Sequence, residues 1–162
     1  MSMIQVQEAL DNILSKIKFK GVEKVSLDQA LGRVLTEDVV SRINNPPLDN
    51  SAMDGYALIA TDIQSATPEN PVKLEVVEEI AAGYTAKGTL KPGQAMRIMT
   101  GAPIPPGATA VLMQEDTEKD GTSILCMDKA DDQENIREAG EDVKAGETVL
   151  KKGTTLSPAH IG

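Results

Sequence analysis

The chain predicts a mainly β fold, α+β overall, in which a compact antiparallel β-barrel-like or sandwich core follows an N-terminal amphipathic helix. Helical periodicity dominates the first seventeen residues or so, whereas period-two alternation governs the chain from Ala57 onward. Turn-forming clusters interrupt that alternation at Pro68–Pro71, Gly83–Gly93, Pro103–Gly107 and Asp120-Gly121. With 162 residues, no Trp, one Phe and two Tyr, the core must be built from aliphatic side chains and Met.

In order along the chain, Val6, Leu10, Ile13, Leu14 and Ile17 share one helical face, with a Ser2-to-Gln5 capping box before them and Gly21 as a stop. That stripe requires a surface to cover it, either this chain's own core or a further domain or subunit. Leu27–Leu31 suggests a short helix ended by Gly32, and Val34-Leu35 and Val39-Val40 suggest short strands around Glu37-Asp38. Strands are expected over Leu74–Ile80, Ala95–Met99, Thr109–Met113 and Thr122–Met127. Past Gly140 the chain leaves the barrel and returns to the earlier short strands. Ser157-Pro158 then announces a helix that only four residues follow, which reads as a truncated chain or proteolytic fragment, the alternative being a short natural chain with a frayed tail.

Composition narrows the function. A formal charge of -9 repels nucleic-acid phosphates and anionic membranes, and no stacking platform for bases or sugars is present, so neither nucleic acid nor a membrane is the expected partner. One cysteine, Cys126, reads as a small core residue, and the lone His160 as a solvated side chain; neither builds a metal cluster. The N-terminus lacks a signal-peptide pattern and no apolar run reaches a membrane span, giving a cytoplasmic expectation.

Three clusters carry the chemistry. The first is Pro46-Pro47-Leu48-Asp49-Asn50-Ser51-Ala52-Met53-Asp54-Gly55-Tyr56-Ala57, a stiff segment dense in oxygen-bearing side chains. An isolated Asp-Gly reads as a hairpin turn, but with Asp49, Asn50 and Ser51 beside it Asp54 becomes a candidate for coordinating oxygen-ligated cations or handling an oxyanion. The second runs Arg97-Ile98-Met99-Thr100-Gly101-Ala102-Pro103, where a Thr hydroxyl beside a Gly amide suits an oxyanion, although a plain strand cap accounts for the same pair. The third is Asn135-Ile136-Arg137-Glu138-Ala139-Gly140-Glu141-Asp142. Arg137 there suits a phosphate, or alternatively a surface pair with Glu141 or Asp142. Asp128, Asp131, Asp132 and Glu134 read as a solvated acidic face.

In this order and separation, together with Ala30-Leu31-Gly32-Arg33-Val34-Leu35 and Val111-Leu112-Met113-Gln114-Glu115, these clusters closely resemble the MoeA-type molybdopterin molybdenumtransferases, the family that includes the gephyrin E domain. The resemblance implies molybdenum cofactor biosynthesis, with molybdate inserted into the dithiolene of adenylylated molybdopterin, AMP released, and magnesium required. It implies an N-terminal helix over 1–24, a linking domain over 25–45 and 143–162, and an all-β domain over 46–142 inserted into it. The C-terminal α/β pterin-binding domain and a last β domain would be absent, leaving a catalytically incomplete piece of a homodimer whose active site is shared between subunits. By motif, Asp54, Thr100 and Asp142 are the expected catalytic residues, and Ser51, Thr100, Gly101 and Arg137 the expected substrate-binding ones. Asp54 and Asp142 are the expected magnesium ligands. The alternative is a non-catalytic scaffold or binding module of the gephyrin type.

Overall fold

The computed structural model describes residues 4–18 and 21–162. The chain divides into two units, one running up to Val39 and resumed over Leu150–Gly162, the other Val40–Val149.

In the first unit, α1 (Val6–Lys16) forms as its periodicity requires. Ser2 of the expected capping box lies outside the described residues, and Gln5, at the N-cap, makes no side-chain cap bond. No residue of α1 is buried, and its apolar stripe is solvent-exposed from Val6 to Ile17, so none of the described residues covers it. Leu27–Gln29 forms a single 3-10 turn, shorter than the expected helix, and Gly32 closes it at φ +75°, a conformation that favours glycine. The strand expected at Val34-Leu35 is a bridge zipped to the resumed segment. Leu35 N–H donates to the Thr154 carbonyl at 2.9 Å, and Leu156 N–H to the Arg33 carbonyl at 2.8 Å. The announced final helix is the short α2 (Pro158–Ile161), where His160 Nδ1 accepts from the Ser157 N–H at 3.2 Å; the histidine is solvent-exposed as expected and also caps the helix. β1 (Val39–Val40) pairs with β10 (Thr148–Leu150).

The second unit holds the main sheet. Its strands are β3 (Gly55–Leu58), β4 (Val72–Ile80), β5 (Gln94–Ile98), β6 (Ala110–Met113), β7 (Thr117–Asp120) and β8 (Ser123–Cys126), arranged β6-β3-β5-β4-β8-β7. Neighbours are antiparallel except β4 with β5, which run parallel, so the antiparallel expectation holds with that one correction. Parallel pairing needs a long crossover, and the Ala81–Gly93 loop supplies it. The two edge strands, β6 and β7, are joined only by the 3-10 turn Gln114–Asp116. Six flat strands would hold their edges about 24 Å apart, while four peptide links reach at most about 15 Å. The sheet must curl toward closure, giving a half-barrel.

The curl accounts for the two packed clusters on its opposite faces. Tyr56, Leu58, Leu74, Ala95, Leu112, Ile124 and Cys126 fill one; Ala57, Ile80, Leu90, Met96, Ile98 and Val111 fill the other. Strand β3 lies between β5 and β6 and is buried at every position. A strand covered on both faces loses its polar alternation, which is why periodicity alone does not mark it. Gly55, at its start, is a packing glycine rather than a turn glycine: an added Cβ would come within 2.1 Å of the Leu112 carbonyl oxygen.

Candidate functional site

The three clusters converge in the second unit. Asp49–Asp54 runs as the middle of three segments, tied on one side to the loop after β5 and on the other to the segment carrying Arg137. Toward the first, Ser51 N–H donates to the Ala102 carbonyl at 3.0 Å, Gly101 N–H to the Ser51 carbonyl at 2.8 Å, and Ile104 N–H to the Asp49 carbonyl at 3.0 Å. Toward the second, β2 (Asn50–Ser51) pairs with β9 (Ile136–Arg137), and Ala52 N–H donates to the Asn135 carbonyl at 2.9 Å. Asp49 Oδ1 adds a side-chain tie by accepting from the Ala139 N–H at 2.7 Å. Backbone bonds satisfied on both flanks make this a rigid layer rather than a mobile loop.

At its exit, the carboxylate of Asp54 meets Thr100. Oδ1 accepts from the Thr100 N–H at 2.7 Å and from the Thr100 hydroxyl at 2.8 Å. These two bonds, the backbone one first, hold the Asp54 carboxyl below the usual carboxylate range despite partial desolvation, and the nearby Arg97 charge lowers it further. The oxyanion that Thr100 grips here is therefore Asp54 itself. Asp54 Oδ2 has no hydrogen-bond partner among the described residues and faces solvent at an exposed position.

The other expected residues are placed differently. The Ser51 hydroxyl is fully buried and donates to the Met53 carbonyl at 2.6 Å, so it shapes the turn into Asp54. Gly101 sits at φ +79° with its amide engaged by Ser51, so that amide is a strand-to-loop closure here. Arg137 Nη2 donates to both oxygens of Asp142, at 2.9 and 2.8 Å, with Glu141 Oε2 at 3.7 Å from Nε. Bonding and charge from Asp142, then the charge of Glu141, raise the Arg137 pKa. Asn45 Nδ2 also donates to Asp142, at 3.4 Å. Of its two expected roles, phosphate contact or surface pair, Arg137 has taken the ion pair.

These placements bear on magnesium. The ion takes oxygen ligands, commonly one or two carboxylates with water and substrate phosphates. Among the described residues no group of three or more His, Cys, Asp or Glu side chains is gathered to hold a metal. Asp142 has both oxygens facing a guanidinium, and Asp54 offers a single open oxygen. The donor set present does not by itself make a magnesium site.

Two further residues complete the geometry without having stood out as site residues. Arg97 lies over the Tyr56 ring, 5.0 Å from its centroid, and Gln114 N–H donates to the Asp54 carbonyl at 3.1 Å. The available signal was a charged residue in the strand Gln94–Ile98, whose Ala95, Met96 and Ile98 are buried. The acidic run is exposed as expected, with Asp131 N–H closing a local turn onto Glu134 Oε2 at 2.7 Å. Among the described residues no helix is long and apolar enough to cross a membrane.

Comparison with known proteins matches residues 4–162 to the family described as MoeA N-terminal region (domain I and II). The chain is 50% identical over 138 residues to molybdopterin molybdenumtransferase 2 of Mycobacterium tuberculosis, covering 85% of this chain and 34% of that protein. It is 40% identical over 159 residues to the molybdopterin molybdenumtransferase of Bacillus subtilis, covering 96% and 37%. A crystal structure of the molybdopterin biosynthesis moeA protein from Pyrococcus horikoshii superposes with a TM-score of 0.92 at 43% identity, covering 99% of this chain and 42% of that one. The chain thus spans about a third of the length of the curated relatives it matches.

Proposed function

Since the chain belongs to the MoeA N-terminal region (domain I and II) family, we propose that it supplies one wall of a molybdenum-inserting active site in molybdenum cofactor biosynthesis. The substrates are molybdate and adenylylated molybdopterin, and AMP is released. The observation that carries this reading is the Asp54–Thr100 contact, which presents an ionised carboxylate with one open oxygen where the first and second motifs meet.

In this reading Asp54 works as a fixed anion. An aspartate is ionised at neutral pH, and the bonds to Thr100 lower its pKa further, so it accepts hydrogen bonds or faces a cation and does not deliver a proton. Thr100 aims Oδ2 outward by occupying Oδ1. Ser51 and Gly101 set the loop geometry around the substrate, and the Arg137–Asp142 pair borders it, with Arg137 turning toward phosphate when substrate competes for it. Magnesium, when bound, would neutralise substrate phosphate charge; Asp54 Oδ2 is what this segment offers it.

A chain of net charge -9 cannot gather two anionic substrates unaided, so the compensating cations come from outside this segment, and the segment alone is inactive. We extend the proposal to a cytoplasmic homodimer with a shared site, and to an all-β domain over 46–142 set into the linking segments 25–45 and 143–162. The compact unit Val40–Val149 supports the division.

The test is a chimera in which this chain replaces the matching N-terminal segment of the Bacillus subtilis relative. Molybdate-dependent AMP release from adenylylated molybdopterin is expected from it. A folded chimera that binds the pterin substrate yet releases no AMP sinks the proposal.

A further inference from the structure

We infer that Arg97 is a positioning residue for the Asp54–Thr100 pair: its guanidinium ties the strand start that carries Asp54 to the strand end that leads into Thr100. The inference rests on the proposed roles of Asp54 and Thr100.

Arg97 stands on β5 directly opposite Tyr56 on β3, three residues before Thr100. Its guanidinium lies over the Tyr56 ring, which leaves its in-plane N–H groups free to bond sideways. Nη1 donates to the Gly55 carbonyl at 3.3 Å, and Nη2 donates to Gln114 Oε1. Gln114 in turn donates its backbone N–H to the Asp54 carbonyl at 3.1 Å. A closed circuit results: Arg97 holds Gly55 and Gln114, Gln114 holds Asp54, and Asp54 is gripped by Thr100 just beyond Arg97's own strand.

Only arginine completes this circuit. Two diverging donors and a flat face are needed together, whereas a lysine ammonium is a point charge that can approach one acceptor but cannot lie flat on the ring. Removing the guanidinium takes one donor from the Gly55 carbonyl and frees the Gln114 side chain, so the main chain on either side of the Asp54 carboxylate keeps its ladder bonds but loses the side-chain brace across them. The carboxylate then samples more positions, and its two bonds to Thr100 weaken.

The Thr100 amide proton reports this directly, because its bond to Asp54 Oδ1 shields it from exchange with solvent. The experiment measures the hydrogen-exchange rate of that amide by NMR at one fixed pH in the isotope-labelled chain, as the native sequence and as Arg97→Met, Arg97→Lys and Gln114→Leu. Arg97→Met keeps the apolar cover on Tyr56. The expected result is severalfold faster Thr100 exchange in both Arg97 variants, and a smaller increase in Gln114→Leu, with the amides of the sheet core unchanged. A native rate in Arg97→Lys would show that charge alone matters and overturn the positioning role. An unchanged rate in Arg97→Met would also overturn it. If Arg97→Met does not fold, a native Thr100 rate in Gln114→Leu overturns it instead. Activity is no part of the readout, so a wrong functional reading and a wrong positioning role give different results.

Discussion

Two carboxylates in the same layer end up in opposite electrostatic situations. Asp142 faces a guanidinium that donates to both of its oxygens, so its charge is matched inside the protein. Asp54 is held by neutral donors on one oxygen only, so its charge is stabilised without being cancelled and Oδ2 stays open. A carboxylate that is to meet a cationic or hydrogen-bonding ligand needs the second arrangement. On the proposed reading, hydrogen-bond partners more than exposure distinguish the two carboxylates, since both residues are exposed.

The sharpest way to break this contrast is to neutralise each carboxylate in the Bacillus chimera. Asp54→Asn should lower AMP release by about a hundredfold or more, the scale of losing one group aimed at the reacting centre. Asp142→Asn should lower it far less, through a loosened Arg137. Equal losses would erase the distinction.

The rigidity of the Asp54 seat comes next. Gly55→Ala drives a Cβ against the Leu112 carbonyl at 2.1 Å, a backbone atom that cannot step aside. Destabilisation of about 3 kcal/mol is expected, read as a lower denaturant midpoint. A midpoint equal to the native one would mean β3 can shift, and Asp54 with it.

Much of this architecture is legible in the amino-acid sequence. The three motif clusters, the aliphatic sheet and the helix over Val6–Lys16 follow from spacing and periodicity. Other features leave no local trace, for physical reasons. Strand β3 shows no alternation because both its faces are buried, and β7 is a charged edge strand, Thr117–Asp120, whose composition argues for a loop. The convergence of Asp54 with Thr100 depends on bonds across 46 positions of sequence, which no local pattern encodes. Arg137's choice of partner is equally hidden, because a surface pair and a phosphate contact need the same residue types.

Smaller effects sharpen the picture of the surrounding core. Burial pushes the Cys126 thiol up to about 12, so it stays protonated at neutral pH. A thiol reagent should leave the native chain unmodified over hours and label it only on unfolding; rapid native labelling would show the half-barrel opening. Asp116 has its pKa raised by burial, then by the charges of Asp128, Glu115 and Glu134. A raised carboxyl pKa means that folding favours the protonated form, so its contribution is greatest at low pH and is lost as pH rises through the folded value. Asp116→Asn should therefore raise the melting temperature slightly at neutral pH and leave it unchanged in acid. The sign reverses for Asp54, whose lowered pKa contributes stability above its ordinary value of 3.8 and loses it as pH falls through the folded value.

Thr100 fixes the Asp54 carboxylate through one oxygen and lowers its pKa while leaving the outer oxygen open. Carbon-detected NMR titration of the Asp54 carboxyl, in the native chain and in Thr100→Val, tests it most directly. The expected result is a native midpoint below the ordinary aspartate range that climbs back toward it in Thr100→Val. A native midpoint at or above the ordinary value, unmoved by the substitution, would contradict it.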